Sequence, residues 1–243
     1  QVESCAPCHS RRHQVSTEDR SGEPLLDHFM PETLREDLYY ADGQILEEVY
    51  VYGSFLQSRM YGQGVGCTDC HNPHSLRLRV VGNAVCEQCH HSQAARDRFP
   101  TLTLKNYDSP EHHFHPTEGD GAQCVDCHMP ERVYMVVDPR RDHSFRIPRP
   151  DLSLKLGTPN ACNMCHTDET PEWADAAVKK WYGAQRRQEP HYGETIAAGR
   201  RGEPDAAPRL IALSGDAEQP TIVRATALEL LRDYGAAGAS AMV

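Results

Sequence analysis

The residues with the clearest chemical potential are ten cysteines that form five pairs, each with two residues between its members. A histidine follows the second cysteine of every pair, so the motif Cys-x-x-Cys-His occurs five times and uses every cysteine. This spacing attaches a c-type haem, because two thiols add to vinyl groups on one porphyrin edge and the histidine binds the iron. The predicted attachment residues are Cys5, Cys8, Cys67, Cys70, Cys86, Cys89, Cys124, Cys127, Cys162 and Cys165. The predicted proximal iron ligands are His9, His71, His90, His128 and His166. We therefore predict five covalently bound haems, each holding one iron.

Structural zinc and disulfide bonds are the alternative interpretations of paired cysteines. Tetrahedral zinc takes four ligands, commonly from two Cys-x-x-Cys pairs, and five pairs do not divide into twos. Histidine accounts for 14 of the 243 residues. By chance, all five pairs would be followed by histidine less than about once in a million. The pattern favours haem over both alternatives.

Nine further histidines can supply the sixth iron ligand on the distal face. His74 lies too near its own motif to reach the far face of that haem, so we expect it to serve a neighbouring one. His191 lies beyond the motifs and is expected at the surface. Methionine is the other common axial ligand, but with histidines available the methionines are expected to pack on porphyrin faces. The predicted distal ligands are His74, His115, His143, His28, His112, His113, His91 and His13.

Composition and charge narrow the possible partners and location. Hydrophobic residues make up 39% and aromatic residues 7%, so haems are expected to fill part of a thin core. A net charge of −10 argues against a nucleic-acid partner. No apolar run reaches the roughly 18 residues of a membrane span. Because c-type haem is attached outside the cytoplasmic membrane, we expect a periplasmic or extracellular protein, possibilities that include the cell surface.

The chain divides by composition into two predicted domains: a pentahaem cytochrome c domain over 1–167 and a helical tail over 168–243. We predict a mostly α fold with extensive loops packed around haems. Residues 45–60 are predicted to form a short strand or a helix broken at Gly53. Residues 138–160, rich in proline, are predicted to be an extended loop. The arginines in that loop are natural partners for haem propionates: Arg140, Arg141, Arg146 and Arg149.

The tail carries clear helix signals. Pro171 begins a predicted helix that ends before Gly183 and places Trp173 and Trp181 on one inward face. Two more helices are predicted over 205–213 and 220–234, the last with an apolar stripe. The pair is similar to one unit of a HEAT-like helical repeat, and one unit cannot bury its own apolar face. We therefore expect the tail to pack on a neighbouring subunit or on further sequence, as part of a homo-oligomer or a longer chain.

Several motifs resemble multihaem cytochromes of the nitrite reductase and hydroxylamine oxidoreductase lineage. The segments that carry the resemblance are 66–74 (GCTDCHNPH) and 124–130 (CVDCHMP). Segment 142–150 (DHSFRIPRP), followed by 157–160 (GTPN), resembles multihaem proteins with tetratricopeptide or HEAT-like repeats after the haems. The resemblance implies closely stacked haems in a helical, loop-rich fold. The lysine that replaces the motif histidine in the nitrite reductases is absent from this chain. A tyrosine crosslink to haem, as in hydroxylamine oxidoreductases, would draw on Tyr39, Tyr40, Tyr50, Tyr52 or Tyr61.

Three functions fit these observations. The first is electron transfer through five closely packed, mainly bis-histidine haems to redox protein partners, as a relay or conduit subunit. The second is an oxidoreductase that converts a small nitrogen or sulfur compound at an open haem. The third is a subunit of an extracellular cytochrome filament. The supply of histidines favours an electron carrier over an enzyme, because an enzyme needs one iron with a weakly held ligand.

Overall fold

Helices dominate the computed structural model, which describes residues 2–18, 22–94, 96–186 and 189–235. Most of the helices before residue 150 are single turns joined by long loops, and the longer helices follow. The helices are α1 Ala6–His9, α2 Leu25–His28, α3 Tyr52–Phe55, α4 Arg59–Gly62, α5 Cys67–Cys70, α6 Ala84–Glu87, α7 Pro110–His113, α8 Cys124–His128, α9 Pro150–Leu156, α10 Cys162–Cys165, α11 Pro171–Tyr182, α12 Tyr192–Arg200, α13 Ala206–Gly215 and α14 Thr221–Leu231. Short 3-10 helices cover Val2–Ser4 and Arg232–Tyr234.

The strands form two antiparallel hairpins. They are β1 Arg12–Gln14 paired with β2 Phe29–Pro31, and β3 Glu131–Tyr134 paired with β4 Asp138–Arg141. Within the described ranges, we find no helix of the length and apolar character that crossing a bilayer requires. The mostly helical, loop-rich fold predicted from the sequence is confirmed.

Each haem motif folds as a single helical turn. In four of the five, the motif histidine amide donates to the carbonyl of the first cysteine, at 2.9–3.0 Å. This bond closes one α-turn, so the two cysteines stand three residues apart on the same face. Both thiols can therefore reach one porphyrin edge, while the histidine leaves the end of the turn. These bonds join His9 to Cys5, His71 to Cys67, His90 to Cys86 and His166 to Cys162.

Two local predictions from the sequence are wrong. Residues 138–160 are not an extended loop, because 138–141 pair with β3 and Pro150 begins α9, which Gly157 ends at φ +70°. Nor does the chain break at Gly53, which lies inside α3. A side chain there would clash with the Tyr39 hydroxyl, so this glycine serves close packing.

The tail follows its predicted helices and adds one. Helix α11 has the predicted bounds, and α13 and α14 lie close to theirs. Helix α12 was not predicted. His191 is half-buried, not a surface residue, because its Nδ1 accepts a hydrogen bond from the amide of Gly193 and caps α12 at 3.1 Å. The predicted tail also included 187–188 and 236–243, which lie outside the described residues.

The main apolar core joins the tail to the long segment between the first two motifs. Leu34, Leu38 and Tyr39 pack in one cluster with Leu210 and Leu231. Leu34, Leu210 and Leu231 are fully buried. Residues 34–49 therefore cover the apolar face of α12–α14 inside this chain, so these buried residues need no second subunit. Whether the chain forms oligomers, and whether it divides at residue 167, remain predictions.

Candidate haem-binding sites

Three motif histidines each face a second histidine at nearly the same separation. Their ring centroids are 6.1–6.4 Å apart, and the planes differ by 8–35°. The pairs are His71 with His143 at 6.4 Å, His128 with His112 at 6.1 Å, and His166 with His115 at 6.1 Å. All three second histidines were among the predicted distal ligands.

This separation matches one iron held between two imidazoles. A bond from metal to imidazole nitrogen is about 2 Å long, so two such rings across one metal place their centroids roughly 6.3 Å apart. Direct ring stacking would bring the centroids closer, and a hydrogen bond between the rings would leave no space for a metal. We find that the donor sets at these three motifs fit haem iron.

Hydrogen bonds orient three of these six imidazole rings. In each case Nδ1 donates to a backbone carbonyl, which leaves the Nε2 lone pair for a metal. These bonds run from His128 to Arg146 at 2.6 Å, from His143 to Arg141 at 2.9 Å and from His115 to His113 at 2.6 Å. The backbone therefore selects the tautomer that binds iron through Nε2.

Electrostatics favour the neutral, metal-binding form of these histidines. Burial lowers the pKa values of His128 and His143 from their ordinary range. Burial, together with the nearby Lys105 ammonium, lowers the pKa of His112 to about 4. These imidazoles are therefore uncharged at neutral pH and keep a free lone pair for metal binding.

The other two motif histidines have different surroundings. His9 is exposed at the end of α1. His90 is half-buried and meets the edge of the Tyr107 ring at a centroid distance of 5.7 Å. Among the ring contacts of the described residues, neither histidine faces a second histidine at 6.1–6.4 Å.

Two further candidate ligands carry buried ring nitrogens without a hydrogen-bond partner in the described part of the chain. These atoms are Nδ1 of His28 and Nε2 of His113. The other nitrogen of His28 lies 2.7 Å from Glu23. An unpaired buried nitrogen costs about 1–3 kcal/mol, and coordination to a metal would remove that cost.

The remaining candidate ligands have partners or lie in solvent. His13 forms an ion pair with Glu32. His91 accepts a hydrogen bond from the Gln93 amide at 3.2 Å. His74 is exposed in the turn after the second motif. These three histidines remain predicted ligands without a geometric match.

The ten cysteines are free thiols, and those of successive motifs lie close together. Burial and the neighbouring Cys5 thiol raise the pKa of Cys67 to about 11. A hydrogen bond between Cys86 and Cys124 lowers the pKa of the first and raises that of the second. These contacts bring the first motif beside the second and the third beside the fourth. Among the described side chains, no cluster of three histidine, cysteine or carboxylate groups is arranged to hold a bare metal ion.

The four arginines predicted to bind propionates have protein partners. Arg140, Arg141 and Arg149 form ion pairs with Asp138, Asp126 and Asp151 respectively. Carboxylates of the protein itself therefore meet these three guanidinium groups. Arg146 is half-buried and contacts backbone and side-chain oxygens of the core.

Arg146 links a haem site to the core. Its guanidinium donates to the carbonyl of Asp42 at 2.8 Å and to the side-chain oxygen of Gln57 at 2.9 Å. The Tyr192 hydroxyl of α12 lies within hydrogen-bond distance of the same two oxygens, at 2.8 and 3.0 Å. The Arg146 carbonyl accepts the bond from His128. The tail is thus connected, through one half-buried residue, to the backbone carbonyl that orients the motif histidine His128.

Comparison with known proteins identifies the fold. Over 100% of its length, the chain is similar in structure to the outer cell wall cytochrome OcwA, with a TM-score of 0.53 and 15% sequence identity. The chain has a multihaem cytochrome fold. It spans 65% of OcwA, less than two thirds of that chain. No family model and no curated protein matches the sequence.

Proposed function

We propose that this multihaem cytochrome binds five c-type haems covalently and transfers electrons through them, as a relay or as part of a longer conduit. The observation that carries the proposal is the set of three histidine pairs spaced 6.1–6.4 Å apart, each containing a motif histidine. Bound haem supplies a one-electron iron couple.

The residues of the chain hold the haems and control access to them. Each cysteine pair would hold one haem covalently, and each of the three histidine pairs would offer two imidazoles to one iron. At these three sites, two imidazoles would leave no weakly held position for a substrate, which favours electron transfer over bond-making chemistry there. Bis-histidine sites also lack the methionine that raises haem potentials, so we expect midpoint potentials below those of His/Met cytochromes.

Contacts between motifs support a path for electrons along the chain. The neighbouring thiols of Cys5 and Cys67 bring the first two attachment sites together. Those of Cys86 and Cys124 do so for the third and fourth. Burial and nearby Cys162 raise the pKa of Cys127 to about 11, which reports the proximity of the fourth and fifth sites. The Cys86 and Cys89 thiols lie near Cys70, which brings the second site beside the third. We propose that electrons pass between neighbouring haems in this order.

Location and partners follow from the cofactor. Covalent attachment of c-type haem requires export, so we propose a periplasmic or extracellular protein. A net charge of −10 favours redox proteins with a basic docking face. We also propose that the chain is related to the nitrite reductase and hydroxylamine oxidoreductase lineage and that its tail is HEAT-like.

Haem counting and spin-state spectroscopy test the function. We expect the intact protein to keep five haems through acid-acetone extraction. Its oxidised spectrum should be dominated by six-coordinate, low-spin iron. Fewer haems, zinc, or disulfides between motifs in the intact mass would contradict the cofactor assignment. A rapid spectral shift with carbon monoxide and turnover of nitrite or hydroxylamine would contradict the carrier role and support the oxidoreductase alternative.

A further inference from the structure

Helix α11 contains no haem motif, yet its aromatic side chains contact histidines of the fourth and fifth sites. Trp173, near its beginning, lies 4.9 Å from the proximal His166 between ring centroids. Trp181, near its end, lies 6.3 Å from His115. Tyr182 lies 6.3 Å from His112. The helix therefore spans three ligands of two neighbouring sites.

Tyr182 makes the most specific of these contacts. Its hydroxyl donates a hydrogen bond to the backbone carbonyl of His112 and lies 3.5 Å from Nδ1 of the same residue. Lys105 approaches that nitrogen at 3.3 Å from another loop. Polar groups thus surround the Nδ1 atom of His112, which leaves Nε2 available for a metal, and the His128 ring centroid lies 6.1 Å away.

Trp181 acts on His115 partly through Phe114. The rings of Trp181 and Phe114 are parallel, with centroids 4.7 Å apart. Phe114 ends α7 in the left-handed conformation, at φ +57°, which is costly for a bulky residue. The packing of Trp181 favours this conformation, and the turn at Phe114 separates His112 from His115 so that they face different motif histidines.

The helix is rigid enough to serve as a support. The Thr170 side chain caps its first turn, and Ala174 is fully buried. Helix α11 also packs against α9. In contrast, the segment that carries His112 and His115 has only one helical turn, α7, and lies between loops. A single turn is unstable by itself, so its geometry depends on the surface against which it packs.

We propose that α11 is the positioning element for the axial ligands of the fourth and fifth haems, with Tyr182 holding His112 and Trp181 holding His115 through Phe114. This inference rests on the proposed haem binding. It assigns the tail a direct role in ligation, in addition to covering the core.

The test compares oxidised holoprotein variants by electron paramagnetic resonance, near-infrared magnetic circular dichroism and potentiometry. Trp181→Ala should convert one low-spin haem to a high-spin form, which should bind carbon monoxide after reduction with dithionite. Tyr182→Phe keeps the ring and removes only the hydroxyl, so it should leave all haems low-spin and shift the signal and midpoint potential of one haem. Tyr234→Phe is the matched control, because its hydroxyl donates to the Gly199 carbonyl and contacts no ligand.

The outcomes separate this inference from the proposed function. A wild-type protein without haem, or with mainly high-spin iron, would contradict the proposed function itself. A low-spin wild type whose signals and potentials are unchanged in both Trp181→Ala and Tyr182→Phe would contradict the positioning role alone. If Trp181→Ala does not fold, Tyr182→Phe decides, since removal of one hydroxyl preserves the packing. An equal change in Tyr234→Phe would also overturn the inference, because the effect would then be general.

Discussion

Residues 60–133, which contain the second, third and fourth motifs, contrast with residues 192–231 of the tail. The only hydrophobic residues buried in the described part of 60–133 are Ala94 and Ala122. The same segment exposes large apolar side chains, for example Val81 at 82%. In the tail, by contrast, residues such as Ile196 and Leu210 are fully buried.

The difference shows that the two regions obtain their stability in different ways. The tail buries apolar area against residues 34–49, at about 25 cal/mol per Å². The region around the central motifs has no comparable protein core. Its exposed apolar side chains and metal-ready histidines suit a region that packs on porphyrin. We therefore predict that haem stabilises 60–133 and contributes little to 192–231.

Loss of one attachment site should have the largest effect and should be confined to one region. Replacement of Cys67 and Cys70 by serine should remove one haem and unfold much of 60–133, because no protein core replaces the porphyrin. Hydrogen exchange, with intact mass for the haem count, should show fast exchange there and continued protection of α12–α14. Equal loss of protection in both regions would show that the two regions do not differ in what stabilises them.

A cavity in the tail should destabilise the tail and leave the haems in place. Leu210 is fully buried in α13, so Leu210→Ala should lower the free energy of unfolding by about 3 kcal/mol without changing the haem count. Its neighbour Ile211, 39% exposed on the same helix, is the matched control, and Ile211→Ala should cost well under about 1 kcal/mol. A haem lost from Leu210→Ala under native conditions would show that the regions are not separable.

Arg146 connects the two regions, and its replacement should affect both. Arg146→Lys cannot keep both bonds to Asp42 and Gln57, and we expect a loss of about 2 kcal/mol. The low-spin signal of the fourth haem should also shift, because the Arg146 carbonyl orients His128. As a control, Arg232→Lys alters an exposed ion pair with Glu229 and should change stability by at most about 0.5 kcal/mol. A stability loss without a spectral shift would show that Arg146 stabilises the core and does not influence the fourth haem.

The smallest predicted effect is a pH dependence of the stability of the tail. Burial, followed by repulsion from Arg146, lowers the pKa of His191 to about 3. The folded state therefore disfavours protonation. The stability from neutral His191 is complete above the unfolded pKa of about 6.5 and is lost as pH falls toward 3. Between pH 7.5 and pH 5.5, chemical denaturation should show the wild type losing about 1 kcal/mol more than His191→Asn, which can still cap α12. Identical pH profiles would exclude this contribution.

The local parts of this structure were predictable from sequence. Pro171, the aromatic face and Gly183 fix α11 because capping and periodicity act within a few residues. Helix α12 was missed because Gly193 and Gly199 weaken the helix signal. Both glycines serve close packing: a side chain on Gly199 would crowd Leu210.

Local sequence signals could not predict which histidines face each other. His143, His112 and His115 were expected to bind iron, but the path of the chain decides which motif each one faces. His143 lies beside His71, far away in sequence, because the segment after β4 crosses back to the second motif. Similarly, no spacing rule joins Arg146 to Tyr192 across the core.

The most direct test of the central claim is the position of the irons in the haem-loaded protein. Crystallographic anomalous scattering at the iron edge should show five peaks. Three of them should lie midway between the paired rings of His71 and His143, His128 and His112, and His166 and His115, whose centroids are 6.1–6.4 Å apart. A pair without iron between its rings, or fewer than five iron peaks in the chain, would contradict the account.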